Sequence, residues 1–370
     1  SIPDEKGRMG LFACFDKGSG NEKRAEPRCI LPAPFDARSK AHEYGGGSFD
    51  AKGDTVYFVN AADQQIYATT IRQSGSDLGT PKRITNAVNC RFADLKIVTK
   101  RNSLLAVCED HSSKEPIASI VEIDLTNGEM QTLVKGADFY AGLCISPCET
   151  KAACIQWHHP NMPWDVTELI ELDLVALTHR AVIDKSAQAS NVQPGYSPDG
   201  VLYCVSDKSN WWNLIRADDQ TPVFNVELES ATPQWVFGMQ NWGFVSSKEV
   251  VLSATKGGAW QLYRVNIDDE SSQLNLLAFG EINDRFNGFS NLHCIEGKLA
   301  CMAAGPMAAP RPVAIDLNRQ TTIDLYSPPA VLEDEDISVP SCQWLEANTG
   351  EQVHLWYYPP ANKLYQGPSD

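Results

Sequence analysis

The stretch YSPDGVLYCVSD, from Tyr196 to Asp207, contains the pattern that decides the fold. Its Pro-Asp-Gly tripeptide is a turn signal. The residues that follow, VLYCVS, are β-branched, aromatic and apolar, which favours a buried strand. A second strand pattern, WNLIRAD, ends at Asp218. The stretch therefore predicts two consecutive strands that are separated by a short polar segment.

The same two-strand unit recurs along the chain, and its second strand closes on a polar turn at intervals of 44 to 54 residues. These closing positions are Ile71, Leu125, Leu174, Asp218, Ile267 and Leu317. A repeat of 40 to 50 residues built from short strands is typical of β-propeller blades, which pack into one domain that can exceed 300 residues. We therefore expect an all-β protein, a β-propeller with almost no helix.

The two ends of the chain depart from this repeat. Upstream of Gly47, RMGLFACFD and EPRCILPAP look like the outer part of one more blade, whose inner strands would lie further upstream. We therefore expect seven blades, the first incomplete, in a domain of residues 1–327. Residues 328–370 contain an acidic, proline-bounded linker and then CQWLEANTGEQVHLWYYPP, which predicts a hairpin around Asn348-Thr349-Gly350.

Composition excludes several classes of partner. The net charge of −16 argues against nucleic acid and favours a basic or amine-bearing ligand. Eleven cysteines, mostly in apolar runs, indicate free thiols and a reducing compartment. No apolar run has the length of a membrane span, so we expect a cytoplasmic protein without a membrane partner. Cys144, Cys148, His158 and His159 lack further ligands at metal-binding spacing, so we expect no metal and no other cofactor.

The first candidate site is DARSKAHEYGGGSF, Asp36 to Phe49. It is no phosphate loop, because the Lys-Ser/Thr pair and the following helix are missing. One interpretation is that the three glycines only allow a turn and a close backbone approach. The alternative is that Arg38, His42, Glu43 and Tyr44 line an axial opening, where a carboxylate could pair with a substrate amine or an arginine.

The second candidate site is the predicted loop around WHHPNMPWD, in which Trp164 and Asp165 could contact a substrate or a partner domain. A packed structural loop is the simpler interpretation. The other tryptophans of the repeats are expected to fill space between blades, with carbohydrate stacking as the alternative. They are Trp211, Trp212, Trp235, Trp242 and Trp260.

Five segments of the sequence resemble the prolyl oligopeptidase family of serine peptidases, in its acylaminoacyl-peptidase and dipeptidyl-aminopeptidase-like branch. The segments are RSKAHEYGGGSF, QWHHPNMPWDVTELIELDL, PGYSPDGVLYCVSDKSNWWNLIRAD, PQWVFGMQNWGF and GEQVHLWYYPPAN. The resemblance covers nearly the whole chain. It implies a propeller that caps an α/β-hydrolase domain, which carries the Ser, Asp and His of a catalytic triad.

The catalytic part of that family is not found in this sequence. No Gly-x-Ser-x-Gly nucleophile elbow occurs, and the chain ends where the resemblance implies a His-Gly-Gly-Pro oxyanion segment. We therefore expect no catalytic residues here, and a hydrolase domain that is absent from these residues.

The leading hypothesis is a non-catalytic propeller that gates and selects short peptides for an aminopeptidase or acylaminoacyl-peptidase-like enzyme. Its expected partners are its own hydrolase domain, short peptides and, through the hairpin edge, a second copy. Two rivals are a stand-alone propeller for protein–protein interaction and a sugar-active propeller lyase. The terminal hairpin disfavours the first rival, and the lack of recognisable metal ligands disfavours the second.

Overall fold

The computed structural model of the chain describes residues 2–3, 7–14, 27–71, 79–268, 274–276, 282–295 and 297–365. These residues fall into two compact units, Ser1–Asn225 with Ala231–Met239, and Val226–Ser230 with Gln240–Asp370. Antiparallel strands dominate both units, which confirms the predicted all-β propeller with almost no helix. The described helices are one α-helix, Ile282–Arg285, and three 3₁₀ segments, Thr99–Arg101, Lys185–Ala187 and Asp334–Asp336.

The first unit contains four blades, in each of which every strand pairs with the next one along the chain. Blade 1 comprises Phe49–Lys52, Thr55–Val59, Ile66–Thr70 and Lys82–Arg83. Blade 2 comprises Cys90–Val98, Ser103–Asp110, Ile117–Asp124 and Met130–Lys135. Blade 3 comprises Phe139–Ile145, Lys151–Trp157, Glu168–Asp173 and Thr178–Ile183. Blade 4 comprises Asn191–Tyr196, Leu202–Ser206 and Asn213–Arg216.

The second unit contains two further blades of the same kind and a separate hairpin. Blade 5 comprises Trp242–Phe244, Glu249–Thr255, Trp260–Asn266 and Asn275–Leu276. Blade 6 comprises Gly288–Ile295, Lys298–Gly305, Ala308–Asp316 and Thr321–Asp324. The hairpin comprises Ser341–Glu346 and Gln352–Tyr357, and its position agrees with the sequence prediction.

Blade 4 shows how the repeated sequence pattern forms its strands. All five residues of Leu202–Ser206 are buried, and this strand pairs with Asn213–Arg216. Burial on both faces explains why the strand is continuously apolar instead of alternating. Beyond it only an isolated bridge forms between Ile215 and Pro222, because proline has no N–H to continue a ladder of hydrogen bonds.

The described residues form six blades, so the expectation of seven is wrong. The segment before Gly47 makes only two-residue pairings, Ile2–Pro3 with Met9–Gly10 and Phe12–Ala13 with Arg28–Cys29. The apolar side chains that lie between these pairings or follow them pack against blade 1. Leu11, Ile30 and Leu31 form one buried cluster with Ala37, Val56 and Phe58. The apolar pattern therefore reflects a cover over blade 1 and not a further blade.

A β-bulge recurs in the first strand of four blades. At each bulge one residue has a left-handed backbone, and the pairing register with the next strand shifts there. These residues are Asp94, Gly142, Gln193 and Asn291. In blade 2 the bulge also joins two blades, because Oδ2 of the buried Asp94 accepts a hydrogen bond from Leu143 N at 2.7 Å.

The eleven cysteines are all free thiols. Burial raises the pKa of the Cys294 and Cys301 thiols to about 12, so both stay protonated and act as small apolar side chains. In the part of the chain that the structure describes, no helix has the length and apolar content of a membrane span.

Candidate functional site

The candidate site begins at the tight turn that contains the three glycines, and we call residues 39–47 the His42 turn. His42 and Glu43 both have left-handed backbones, with φ of 51° and 63°. The turn is closed by Gly45 N donating to Ala41 O at 2.9 Å. It is tied to blade 2 because His42 N donates to Glu109 Oε1 at 2.9 Å.

The glycines of this turn allow a second chain segment to come close. Phe237 N donates to Gly45 O at 2.9 Å, and Gly46 and Phe237 form an isolated bridge. Gly46 has φ of +95°, and a Cβ on it would lie 2.3 Å from Phe237 O. Glycine is therefore required here for both backbone conformation and space. The contact holds the segment that contains Gln234 and Trp235 beside the turn.

A cavity of about 240 Å³ opens between these segments, within the first unit. Four of the predicted site residues line it: His42, Glu43, Tyr44 and Trp164. Aromatic rings from distant parts of the chain complete its walls. The rings of Trp164 and Trp235 lie 4.5 Å apart, and those of Phe139 and Trp157 are stacked at 5.2 Å.

Three polar residues that line the cavity, Glu109, His111 and Gln234, were not singled out by the sequence. Glu109, at the end of the second strand of blade 2, is 6% exposed. Its Oε2 lies 3.2 Å from His111 Nε2. Gln234 is also 6% exposed, and its Oε1 has no hydrogen-bond partner. Among the described residues that line the cavity, none is lysine or arginine.

His42 is held in its neutral form. Burial lowers its pKa to about 4, against the opposing influence of Glu109. The ring contacts Phe139, Trp157 and Phe237, with centroids 4.4 to 5.5 Å apart. Its Nε2 has no hydrogen-bond partner and lies 3.7 Å from Glu109 Oε1. At neutral pH His42 therefore contributes an uncharged aromatic ring to the cavity.

Glu43 lies at the rim of the same cavity and differs from Glu109. Its side chain is 76% exposed, and its Oε1 accepts a hydrogen bond from Arg91 Nη1 at 2.6 Å. That hydrogen bond lowers the pKa of Glu43. The negative charge of Glu43 is therefore already paired.

The other two predicted residues do not line the cavity. Arg38 donates from Nη2 to Gly7 O at 2.6 Å and lies 3.9 Å from Asp36. Asp165 accepts a hydrogen bond from Met162 N at 2.8 Å. Asp165 therefore helps to close the turn of residues 162–165 that contains Trp164.

Sequence reasoning missed Glu109, His111, Gln234 and Trp235. The tripeptide Glu-Asp-His at the end of an apolar strand was the available signal for Glu109 and His111. Trp235 was expected to fill space between blades, but it is 52% exposed. In the described part of the chain, no group of three or more His, Cys, Asp or Glu residues could hold a metal ion.

Comparisons with solved structures define the class of fold. No protein-family model matches the sequence, and no curated protein matches it. The crystal structure of puromycin hydrolase complexed with PGG is 22% identical, with a TM-score of 0.86 over 100% of this chain and 57% of that chain. A puromycin-hydrolyzing peptidase of Mycobacterium tuberculosis is 25% identical, with a TM-score of 0.83 over the same shares.

A more distant match widens the comparison. Oligopeptidase B from Trypanosoma brucei is 13% identical, with a TM-score of 0.57 over 95% of this chain and 50% of that chain. The chain therefore has the fold of the propeller portion of prolyl oligopeptidase-family peptidases, which confirms the resemblance drawn from the sequence motifs. It spans 57% of the length of the puromycin hydrolase structures.

Proposed function

We propose that this chain is the non-catalytic, gating and substrate-selecting propeller of a serine peptidase that cleaves short peptides. The observation that carries the proposal is the structural match to puromycin-hydrolysing enzymes. The match covers the whole of this chain and 57% of the length of those enzymes. The propeller would keep bulky proteins away from the active site, while the hydrolase domain would supply the catalytic Ser, Asp and His. The cleaved substrates would be those of an aminopeptidase or an acylaminoacyl-peptidase.

The proposed division of the chain is a propeller of residues 1–327, followed by a linker and hairpin of residues 328–370 that lead to the hydrolase domain. Every residue of Ser341–Glu346 is exposed, including Trp344 at 57%. In the described residues this strand pairs only with Gln352–Tyr357, and its other edge, with exposed aromatic side chains, is a surface on which another sheet can pair. We assign it to the hydrolase domain in the longer protein, and to a second copy when that domain is missing.

The hairpin assignment is tested by the molar mass of the chain. Light scattering of the chain with and without residues 338–370 should give a dimer and a monomer, respectively. Two monomers would rule out self-association through the hairpin. The eleven free thiols also support a reducing location, for which we propose the cytoplasm.

The gating proposal is tested in a protein that continues through the hydrolase domain. Short aminoacyl and peptide substrates should be cleaved, and a serine-directed phosphonate should abolish this cleavage. Unfolded proteins should resist cleavage until the propeller is deleted. The 370-residue chain by itself should show no turnover. Equal cleavage of long and short substrates by the intact protein would contradict the gating role.

A further inference from the structure

The cavity beside the His42 turn contains an acid whose charge lacks a fixed cationic partner. The ion-pair partners of Glu109 in the described residues are two histidines, His42 and His111. His42 is neutral at pH 7 because burial lowers its pKa to about 4. Glu43, which also lines the cavity, is already paired with Arg91. The cavity therefore has a buried negative site that a cation can neutralise.

A second polar group in the cavity is left without a partner. Gln234 is 6% exposed, and its Oε1 accepts no hydrogen bond. A buried acceptor without a donor is costly, so this oxygen favours a ligand that brings N–H groups. The same cavity is walled by Trp157, Trp164 and Trp235. Indole faces attract cations and bind apolar groups.

The ligand that fits these features has a primary ammonium group attached to an apolar or aromatic body. We propose that the cavity binds the free α-ammonium and first side chain of a peptide, and that Glu109 and Gln234 are the residues that recognise the ammonium. This inference rests on the proposed function, and it selects the aminopeptidase class over the acylaminoacyl class. An acylated terminus has lost its charge and would leave Glu109 unneutralised.

The wild-type chain provides the first test, with three small ligands and no substitution. Phenylalanine amide carries the ammonium, 3-phenylpropanamide lacks it, and N-acetylphenylalanine amide lacks the charge and adds an acyl group. Binding at pH 7 is measured by calorimetry and by the fluorescence of the cavity tryptophans. We expect phenylalanine amide to bind at least about tenfold more tightly than either neutral ligand, because only its ammonium can form a charge-assisted hydrogen bond with Glu109.

Two variants identify the recognising residues. Glu109→Gln keeps the shape of the side chain and should weaken binding of phenylalanine amide about tenfold to a hundredfold. Binding of the two neutral ligands should change little. Gln234→Ala should give a smaller loss of the same kind. Glu115→Gln removes one charge at an exposed position outside the cavity lining and should leave binding unchanged. Circular dichroism confirms folding, and the ligand comparison in wild type holds even if a variant misfolds.

The outcomes separate this inference from the proposed function. Equal or tighter binding of the acetylated ligand would overturn the inference and assign the cavity to acylated ends. Lack of binding by all three ligands, or unchanged amine binding in Glu109→Gln, would overturn it as well. None of these results bears on the gating role, which is tested by comparing the cleavage of long and short substrates. Conversely, amine binding in a protein that cleaves no peptide would contradict only the proposed function.

Discussion

The His42 turn and the C-terminal hairpin contain the same kinds of residues, but the structure around them is very different. Each has a glycine with a left-handed backbone, Gly46 with φ of +95° and Gly350 with φ of +83°. Each also has a histidine that contacts several aromatic rings, since the ring of His354 lies 4.9 Å from that of Trp344 and 5.7 Å from that of Trp356. A sequence motif alone would therefore rate the two regions equally as sites.

The difference lies in how many distant segments converge on each region. Around His42 the structure brings together blade 2, blade 3 and the segment before Phe237, and it buries polar atoms among them. Around the hairpin, a Cβ on Gly350 would meet nothing within 4 Å, and the strand Ser341–Glu346 is wholly exposed. Convergence, and not composition, creates a cavity with unpaired polar groups.

The largest effect that separates the two regions is expected from alanine at their glycines. Gly46→Ala combines a left-handed backbone with a Cβ placed 2.3 Å from Phe237 O, so backbone segments must move apart. Gly350→Ala adds only the backbone cost, which is about 1 kcal/mol. We expect Gly46→Ala to lower the free energy of unfolding by about 3 kcal/mol or more.

Urea unfolding of both variants measures this difference. The two substitutions add the same methyl group in the same backbone region, so each serves as the control for the other. Equal losses would mean that the close approach to Phe237 contributes nothing, and the glycines would then serve the turn alone.

The sequence predicted the blades well because each strand is specified locally. Turn residues and apolar runs such as Leu202–Ser206 identify strands without knowledge of their neighbours. The prediction of a seventh blade was wrong because Leu11 and Leu31 pack against blade 1. A local sequence pattern shows that a residue is apolar but does not show which element it packs against. The terminal hairpin was predictable from its Asn-Thr-Gly turn.

The site was only partly predictable, for the same reason. His42, Glu43, Tyr44 and Trp164 were identified because they lie in conspicuous motifs. Glu109 and Gln234 lie 67 and 192 residues from His42, and only tertiary structure brings them to it. The bulge at Asp94 was similarly hidden, although Asp-Leu, Gly-Leu and Asn-Leu pairs recur at the bulges of three blades.

The next effect in size concerns the buried histidine of the turn. An ordinary histidine has a pKa of 6.5, and burial lowers that of His42 to about 4. Between these values the unfolded chain binds a proton that the folded chain does not. The stability that His42 contributes is therefore complete above pH 6.5 and falls as the pH drops towards 4. The full difference corresponds to roughly 3 kcal/mol.

The measurement is the free energy of unfolding between about pH 7 and pH 4.5 in wild type and His42→Asn. Asparagine tolerates the left-handed backbone and does not titrate in this range. The variant should lose less stability on acidification than wild type, whatever its stability at pH 7. Exposed His179 provides the control, because His179→Gln should retain the wild-type slope. Parallel slopes for wild type and His42→Asn would contradict a buried, neutral His42.

A smaller effect is expected at the hairpin. Trp356 is half-buried, and its ring lies against Gly258, where a Cβ would meet Trp356 Nε1 at 2.8 Å. Trp344 is 57% exposed. Trp356→Ala should release the hairpin at a cost of about 1 to 2 kcal/mol, whereas Trp344→Ala should cost less than about 0.5 kcal/mol. Limited proteolysis within residues 338–365 should accelerate about tenfold in the first variant only. Equal rates would show that Trp356 does not anchor the hairpin.

The smallest effect is expected at Glu43, the acid that is most conspicuous in the sequence. Its side chain is 76% exposed and paired with Arg91, and exposed ion pairs contribute below about 1 kcal/mol because water and salt screen them. Glu43→Gln should therefore lower stability slightly, with a loss that shrinks as salt is added. In a protein that includes the hydrolase domain, the same change should reduce peptide turnover less than Glu109→Gln does.

Both substitutions remove one charge at one cavity and keep the shape of the side chain, so they differ only in exposure and in the partner left behind. If Glu43→Gln were instead the more damaging change, the rim of the cavity would carry recognition. The exposed pair with Arg91 would then be the feature that a substrate or the hydrolase domain displaces.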